Sequence, residues 1–301
     1  MIKKTLFNNK QNSWTTINTE DKEELKKLYT EYGIDDEIVE YSLDKNERAH
    51  LDYEAKTNTF VLIFNVPNRQ KIDNHYETIP MTFIIKDNRF ITITNKKNQY
   101  VVSAMERYLD GNPDITLFKF LFSSLFLVTD FFFPYIEEMN AGRKKVNDKL
   151  KEKTSKQNLL LLSDLETGIV YFVSASKQNV VLLEQVKTHQ LYKGLSDIEK
   201  EELEDVVIEA KQLVEMTQLS SQILQQLSGT YTNILNNNLN EGMRILTVLS
   251  VLLTIPTIIT GFFGMNMPLP LENNTSGWLI TIILSVFLWF ALSFALRKIM
   301  K

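Results

Sequence analysis

One stretch of this chain sets oxygen-bearing side chains on one face of an otherwise apolar helix. Thr247, Ser250, Thr254, Thr257 and Gly261 recur at spacings of three and four, which puts them on a single helical stripe. Hydroxyls on such a stripe can face water and ions as a pore lining. Small residues at the same spacing also let membrane helices approach closely. Spacing leaves both readings open, and both require further copies of the chain, because two helices cannot enclose a pore. The stripe lies within residues 245–271, which carry no charge and contain Gly264-Met265-Asn266 near their end. Pro256 removes a backbone donor inside this stretch, which is tolerated where a neighbouring helix or cavity satisfies the freed carbonyl.

Hydropathy identifies the elements that must hold the stripe. Residues 245–263 and 278–296 form two uncharged runs, each near the length of about 20 apolar residues that a helix needs to cross a hydrocarbon core. The loop between them, 264–277, has no Lys or Arg, whereas Arg244 precedes the first run and Arg297, Lys298 and Lys301 follow the second. The positive-inside rule then puts both termini in the cytosol and the loop outside, in a multi-pass protein of the cell membrane. The N-terminal residues lack the apolar segment of a signal peptide, in keeping with a cytosolic N-terminal part.

Ahead of the spans, residues 1–98 read as a cytosolic α+β domain, a small sheet covered by helices. Thr19-Glu20-Asp21 opens a charged helix through about Tyr32, and a second short helix follows at 35–43. The apolar runs 60–66, 79–85 and 90–94 read as strands, the last two joined by a hairpin turn at Lys86-Asp87-Asn88-Arg89. Residues 99–195 turn helical: a short helix over 100–109, then a long segment whose first part, 115–133, is apolar enough to imitate a span. Lys119 and Asp130 inside it, and the charged continuation, favour a buried helix of the cytosolic part. Another helix covers 159–191 and loosens around Thr167-Gly168. From Ser196, with Asp197 and Glu199 as an acidic capped first turn, a heptad-like seam runs from Leu203 to Asn238 without a break. One helix from 196 to about 263 follows, a stalk over 196–244 that continues into the first span, roughly 100 Å long at 1.5 Å per residue.

Little other chemistry is offered. The chain has 301 residues, no cysteine and three scattered histidines (His50, His75, His189), which rules out disulfides and thiolate metal sites and argues against a His-based zinc cluster. A net charge of −4 gives no case for a nucleic-acid partner. There is no G-x-G-x-x-G, P-loop or nucleophile elbow, so an enzyme is the weakest reading and no organic cofactor is expected.

Asn240-Glu241-x-Met243-Arg244-x-Leu246-Thr247, then Pro256-Thr257, then Gly261-Phe262-Phe263-Gly264-Met265-Asn266-Met267-Pro268 resembles the signature of the CorA family of magnesium channels. The resemblance implies a homopentameric, funnel-like channel in the lipid bilayer, with the first span of each copy lining a central pore for divalent cations. Gly264, Met265 and Asn266 would form the selectivity filter, and Asn240, Met243, Leu246, Ser250, Thr254, Thr257 and Gly261 the pore lining and gate. Magnesium gives up its water reluctantly, so a ring of neutral asparagine carbonyls suits the hydrated ion. Thr254 stands where many family members place methionine, which implies a shorter apolar constriction. The resemblance also implies regulatory Mg²⁺ held between cytosolic domains, with Asp205 matching the family's acidic position and Asp73 as a candidate partner. Glu272 would give an outer ring of negative charge, further from the filter than the acidic residue of many family loops.

Two competing readings remain. A zinc transporter of the same family shares the architecture, although the Gly-Met-Asn form and the scarcity of His and Cys lean towards magnesium, with cobalt or nickel as further permeants. A scaffold or sensor tethered by two helices would need neither a hydroxyl stripe nor a polar motif at a helix end.

Overall fold

The computed structural model describes residues 3–265 and 275–299. The chain divides into two compact units, Met1–Gly229 and Thr230–Lys301.

The first unit is built on a six-stranded sheet, β1 (Lys3–Phe7), β2 (Asn12–Asn18), β3 (His50–Glu54), β4 (Thr59–Pro67), β5 (Thr78–Lys86) and β6 (Arg89–Thr94). The strand order is β1-β2-β6-β5-β4-β3, with β2 parallel to β6 and every other pair antiparallel. The apolar runs expected as strands are β4, β5 and β6. Their continuity has a simple cause: the sheet is covered on both faces, and all nine residues of β4 are buried. On one face Ile17, Val61, Ile84 and Ile91 pack against Leu28, Ile34, Ile38 and Val39, carried by or adjoining α1 (Lys22–Thr30) and α2 (Asp36–Leu43). The other face carries aromatics, and Phe120 sits among Phe7, Trp14 and Phe90 with ring centroids 5.2–5.4 Å away.

The strands β1, β2 and β3 have no counterpart in the sequence reading. They are short and rich in Lys, Thr, Asn and His, and β2 is fixed by pairing with a strand more than seventy residues later. The turn between β1 and β2 places Asn8, Asn9 and Lys10 at φ of 50°, 53° and 67°, the left-handed region that asparagine tolerates better than most residues.

Helices α3 (Gln99–Gly111), α4 (Leu117–Asp130), α5 (Phe133–Glu152) and α6 (Lys156–Thr188), then a 3-10 turn at Gln190–Gly194, complete the unit with the first part of α7 (Asp197–Phe263). The single long segment expected from 115 is instead two helices. Pro134 lies in the first turn of α5, where it has no N–H for the carbonyl of Asp130 and would crowd it, so α4 stops there. Among the described residues four helical segments are long and apolar enough to cross a membrane, and two of them begin at Leu117 and Lys156. In α4, Phe120, Leu121, Phe122, Leu125 and Val128 are fully buried, and α6 buries Ile169, Phe172, Leu182, Leu183 and Val186. These are core helices. The looser stripe of α6 at Gly168 is where the β4–β5 loop rests on the helix: a Cβ there would meet the Tyr76 backbone nitrogen at 3.2 Å.

The seam of α7 is buried at Leu203, Val206, Ala210, Leu213, Thr217, Ser220 and Leu224. Ser176 and Thr217 hydroxyls meet at 3.2 Å, and the Lys187–Glu204 and Lys211–Glu184 pairs, both 2.5 Å, link α6 to α7. The Lys211 ammonium holds the Glu184 carboxyl below the usual carboxylate range, and Glu204 raises Lys187.

The second unit contains the remainder of α7 and α8 (Gly277–Ile299).

Candidate ion pathway

The stripe lies on the C-terminal part of α7. Asn240, Met243, Thr247, Ser250, Thr254, Thr257, Gly261 and Gly264 follow at alternating three and four, and Leu246 falls on the same side. All are exposed, Met243 to 59% and Leu246 to 66%. The buried residues of this span are Leu252 and Ile259, on the opposite side of the helix. In α8 Gly277 is buried, and Thr281, Ser285 and Trp289, spaced by four, are half-buried. The less exposed row of α8 thus starts with small residues and continues with Trp289, Leu292 and Leu296. The hydroxyl stripe of α7 lies opposite Leu252 and Ile259 and is exposed in the single chain. Sequence spacing had not singled out the Gly277/Thr281/Ser285 row, although its i, i+4 pattern was available.

Each hydroxyl of the stripe donates to the carbonyl four residues earlier: Thr247 to Met243 at 2.8 Å, Ser250 to Leu246 at 2.9 Å, Thr254 to Ser250 at 2.9 Å and Thr257 to Leu253 at 2.8 Å. Thr260, which the sequence reading left aside, does the same to Pro256 at 2.8 Å. Back-bonding of this kind satisfies the O–H inside an apolar segment and leaves the oxygen lone pairs outward. Such a stripe accepts hydrogen bonds, which is what the water shell of a cation donates.

At the helix end, the Gly264 N–H reaches the Thr260 carbonyl at 2.9 Å. A Cβ on Gly264 would stand 3.0 Å from that same oxygen, so a side chain there would require the carbonyl to shift by a few tenths of an ångström. Met265 follows, 45% exposed. Asn266, Met267, Pro268 and Glu272 lie outside the described residues.

Asp205 is exposed on the first part of α7. Asp73 is also exposed, at φ 48° in the tight turn from Ile72 to His75. Among the described residues no group of three or more His, Asp or Glu side chains could hold a metal ion, so neither residue completes a metal site within one chain.

The family model described as CorA-like Mg2+ transporter protein matches residues 9–298. The chain belongs to this family. A protein named cobalt/magnesium transport protein CorA, from Methanocaldococcus jannaschii, is 24% identical over 270 residues, covering 88% of this chain and 83% of that protein. The complete structure of the CorA magnesium transporter from that organism superimposes with a TM-score of 0.78 at 22% identity, over 96% of this chain and 90% of the other. The full-length CmaX protein gives 0.71 at 13% identity, over 95% and 88%. At these identities the structural matches bear on architecture: a small mixed sheet with helices, and a long helix leading to a C-terminal one. Family membership makes the chain a membrane-embedded divalent-cation transport protein and not an enzyme.

Proposed function

We propose that five copies of this chain form a channel that admits hydrated Mg²⁺, with Co²⁺ or Ni²⁺ as further permeants, through a pore lined by the α7 stripe. The single observation carrying this reading is the uncovered row of hydroxyls opposite Leu252 and Ile259. The first span is about 245–263, the outer loop 264–277, the second span about 278–296 and the basic tail 297–301. Both termini are cytosolic by the positive-inside rule. Residues 1–98, 99–195 and the stalk, 196–244, form the cytosolic part.

In this reading a ring of Asn266 carbonyls, backed by Gly264 and Met265, accepts hydrogen bonds from the ion's water shell, and Glu272 concentrates cations at the mouth. Ser250, Thr254, Thr257 and Gly261 continue the path. Met243 and Leu246, large apolar side chains exposed on the same side, form the constriction that closes by dewetting, with Asn240 as a polar ring below. Mg²⁺ bound at Asp205, with Asp73 of a neighbouring copy, holds the pore shut when cytosolic magnesium is high.

The test is Mg²⁺ uptake by proteoliposomes holding the purified protein, with Zn²⁺, Co²⁺ and Ni²⁺ competing. Uptake that vanishes in Asn266→Ala supports the channel. Flux of Zn²⁺ in preference to Mg²⁺ would establish the zinc reading, and no flux in either form would establish the tether.

A further inference from the structure

Away from the ion path, the first unit holds a cleft of about 420 Å³ at the end of the sheet where β3 turns into β4 and β5 into β6. That volume falls within the roughly 300–1,000 Å³ of small-molecule sites. Its walls are of an unusual kind. Tyr53, Phe60 and Phe118 supply aromatic surface, Asp87 supplies the one charge, and none of the lining residues is basic.

Each wall is fixed by the fold. Phe60 pairs with Ile85 across β4 and β5 and forms the nearly buried floor. Phe118, in the first turn of α4, stands edge-on to it with ring centroids 6.4 Å apart. Tyr53, on the edge strand, donates its hydroxyl to Asn58 Oδ1 at 3.0 Å and packs edge-on against His189 at 4.9 Å. Asp87 occupies the β5–β6 turn at φ 53°. The residues flanking that turn, Lys86 and Arg89, would neutralise Asp87 if they shared its side. They do not. The Lys86 ammonium donates to the Gly33 carbonyl at 2.6 Å, and the Arg89 guanidinium lies 5.8 Å from the Tyr32 ring, both on the side of the sheet covered by α1. Among the described ion pairs none includes Asp87.

The chemistry of these walls excludes several ligands. An anion would meet the Asp87 carboxylate and no basic side chain in the lining. A dehydrated Mg²⁺ needs an octahedron of oxygens, and the lining offers one carboxylate beside the Asn58 and Gln190 amides, with Asn58 Oδ1 already accepting from Tyr53. A cation with an apolar shell fits both features, because it is attracted to ring faces and its charge can be answered by one carboxylate. We propose that this cleft binds a small organic ammonium ion, its alkyl shell against Tyr53, Phe60 and Phe118 and its charge against Asp87.

The test uses the full-length protein in detergent and choline as the probe, with 3,3-dimethyl-1-butanol as its neutral carbon isostere, both followed by ligand-observed NMR. Choline should bind saturably, and the isostere should bind about tenfold more weakly. Asp87→Asn keeps a residue that tolerates the left-handed turn, so the fold is retained, and should weaken choline about tenfold while leaving the isostere unchanged. Phe118→Leu should weaken choline as well. Absence of saturable binding, equal binding of the isostere, or choline binding unaffected by both substitutions would overturn the proposal.

Discussion

Glu199 fixes the start of the longest helix from two directions. Its carboxylate accepts from the Ser196 N–H and hydroxyl, each at 2.9 Å, and the Ser196 hydroxyl accepts from the Glu199 N–H at 3.3 Å. The other carboxylate oxygen accepts from the Thr116 hydroxyl at 2.7 Å, and Thr116 is itself the N-cap of α4. One side chain therefore joins the first turns of two helices. Glu199→Ala removes the cap and the hydrogen bond that the Thr116 hydroxyl donates to the carboxylate, a loss of about 2 kcal/mol. In thermal unfolding of the detergent-solubilised protein this should read as a fall of about 5 °C, with most of it recovered in Glu199→Gln, which can rebuild the reciprocal cap. An unchanged melting temperature in the alanine variant would disprove the double role. The local half of this arrangement was legible in Ser196-Asp197-Ile198-Glu199, since capping depends on neighbours in sequence. The link to Thr116, eighty-three residues away, had no sequence signal.

Among the elements, the strands and helices that could be read were those whose own residues specify them. The runs of β4, β5 and β6 are apolar because both faces are covered, and α7 carries its seam in plain view. By contrast β1, β2 and β3 owe their conformation to partners, and the break between α4 and α5 turns on Pro134 inside an otherwise helical pattern. The pathway was legible to a similar degree. The stripe could be placed from spacing, but its exposure could not, because buried Leu252 and Ile259 are of the same residue types as exposed Leu253 and Ile258. The same helix contains a weak stretch. Residues 233–242 include Asn233, Asn236, Asn237, Asn238, Asn240 and Gly242, and all ten residues are exposed. Relative to alanine these six cost about 4 kcal/mol of helix propensity. Backbone amide exchange should accordingly be at least about tenfold faster over 233–242 than over the buried seam at 203–224. Equal protection in the two segments would mean that contacts outside the single chain support the asparagine stretch.

For the whole molecule, the proposed channel depends on assembly, since one chain presents half-finished features. Its hydroxyl stripe is uncovered, and Asp205 and Asp73 make no metal site alone. Five copies would enclose the stripe and bring Asp205 of one chain near Asp73 of the next. Native mass spectrometry should give five chains per particle. Raising Mg²⁺ on the cytosolic side should suppress flux in the wild type, and Asp205→Ala should lose that suppression while conducting normally. If the variant remains as sensitive as the wild type, Asp205 is not the sensor.

The burial of α4 has a consequence for biosynthesis. Its segment is hydrophobic enough to be taken for a span, with a mean hydropathy of 1.5 against 2.2 and 2.5 for the two C-terminal candidates. All six strands precede α4, so Trp14 and Phe90 are already synthesised when Phe120 leaves the ribosome, and its ring has a protein partner before the spans follow. The aromatic face of the sheet thus gives α4 a protein partner, and burial rather than hydropathy separates α4 and α6 from the two exposed C-terminal segments.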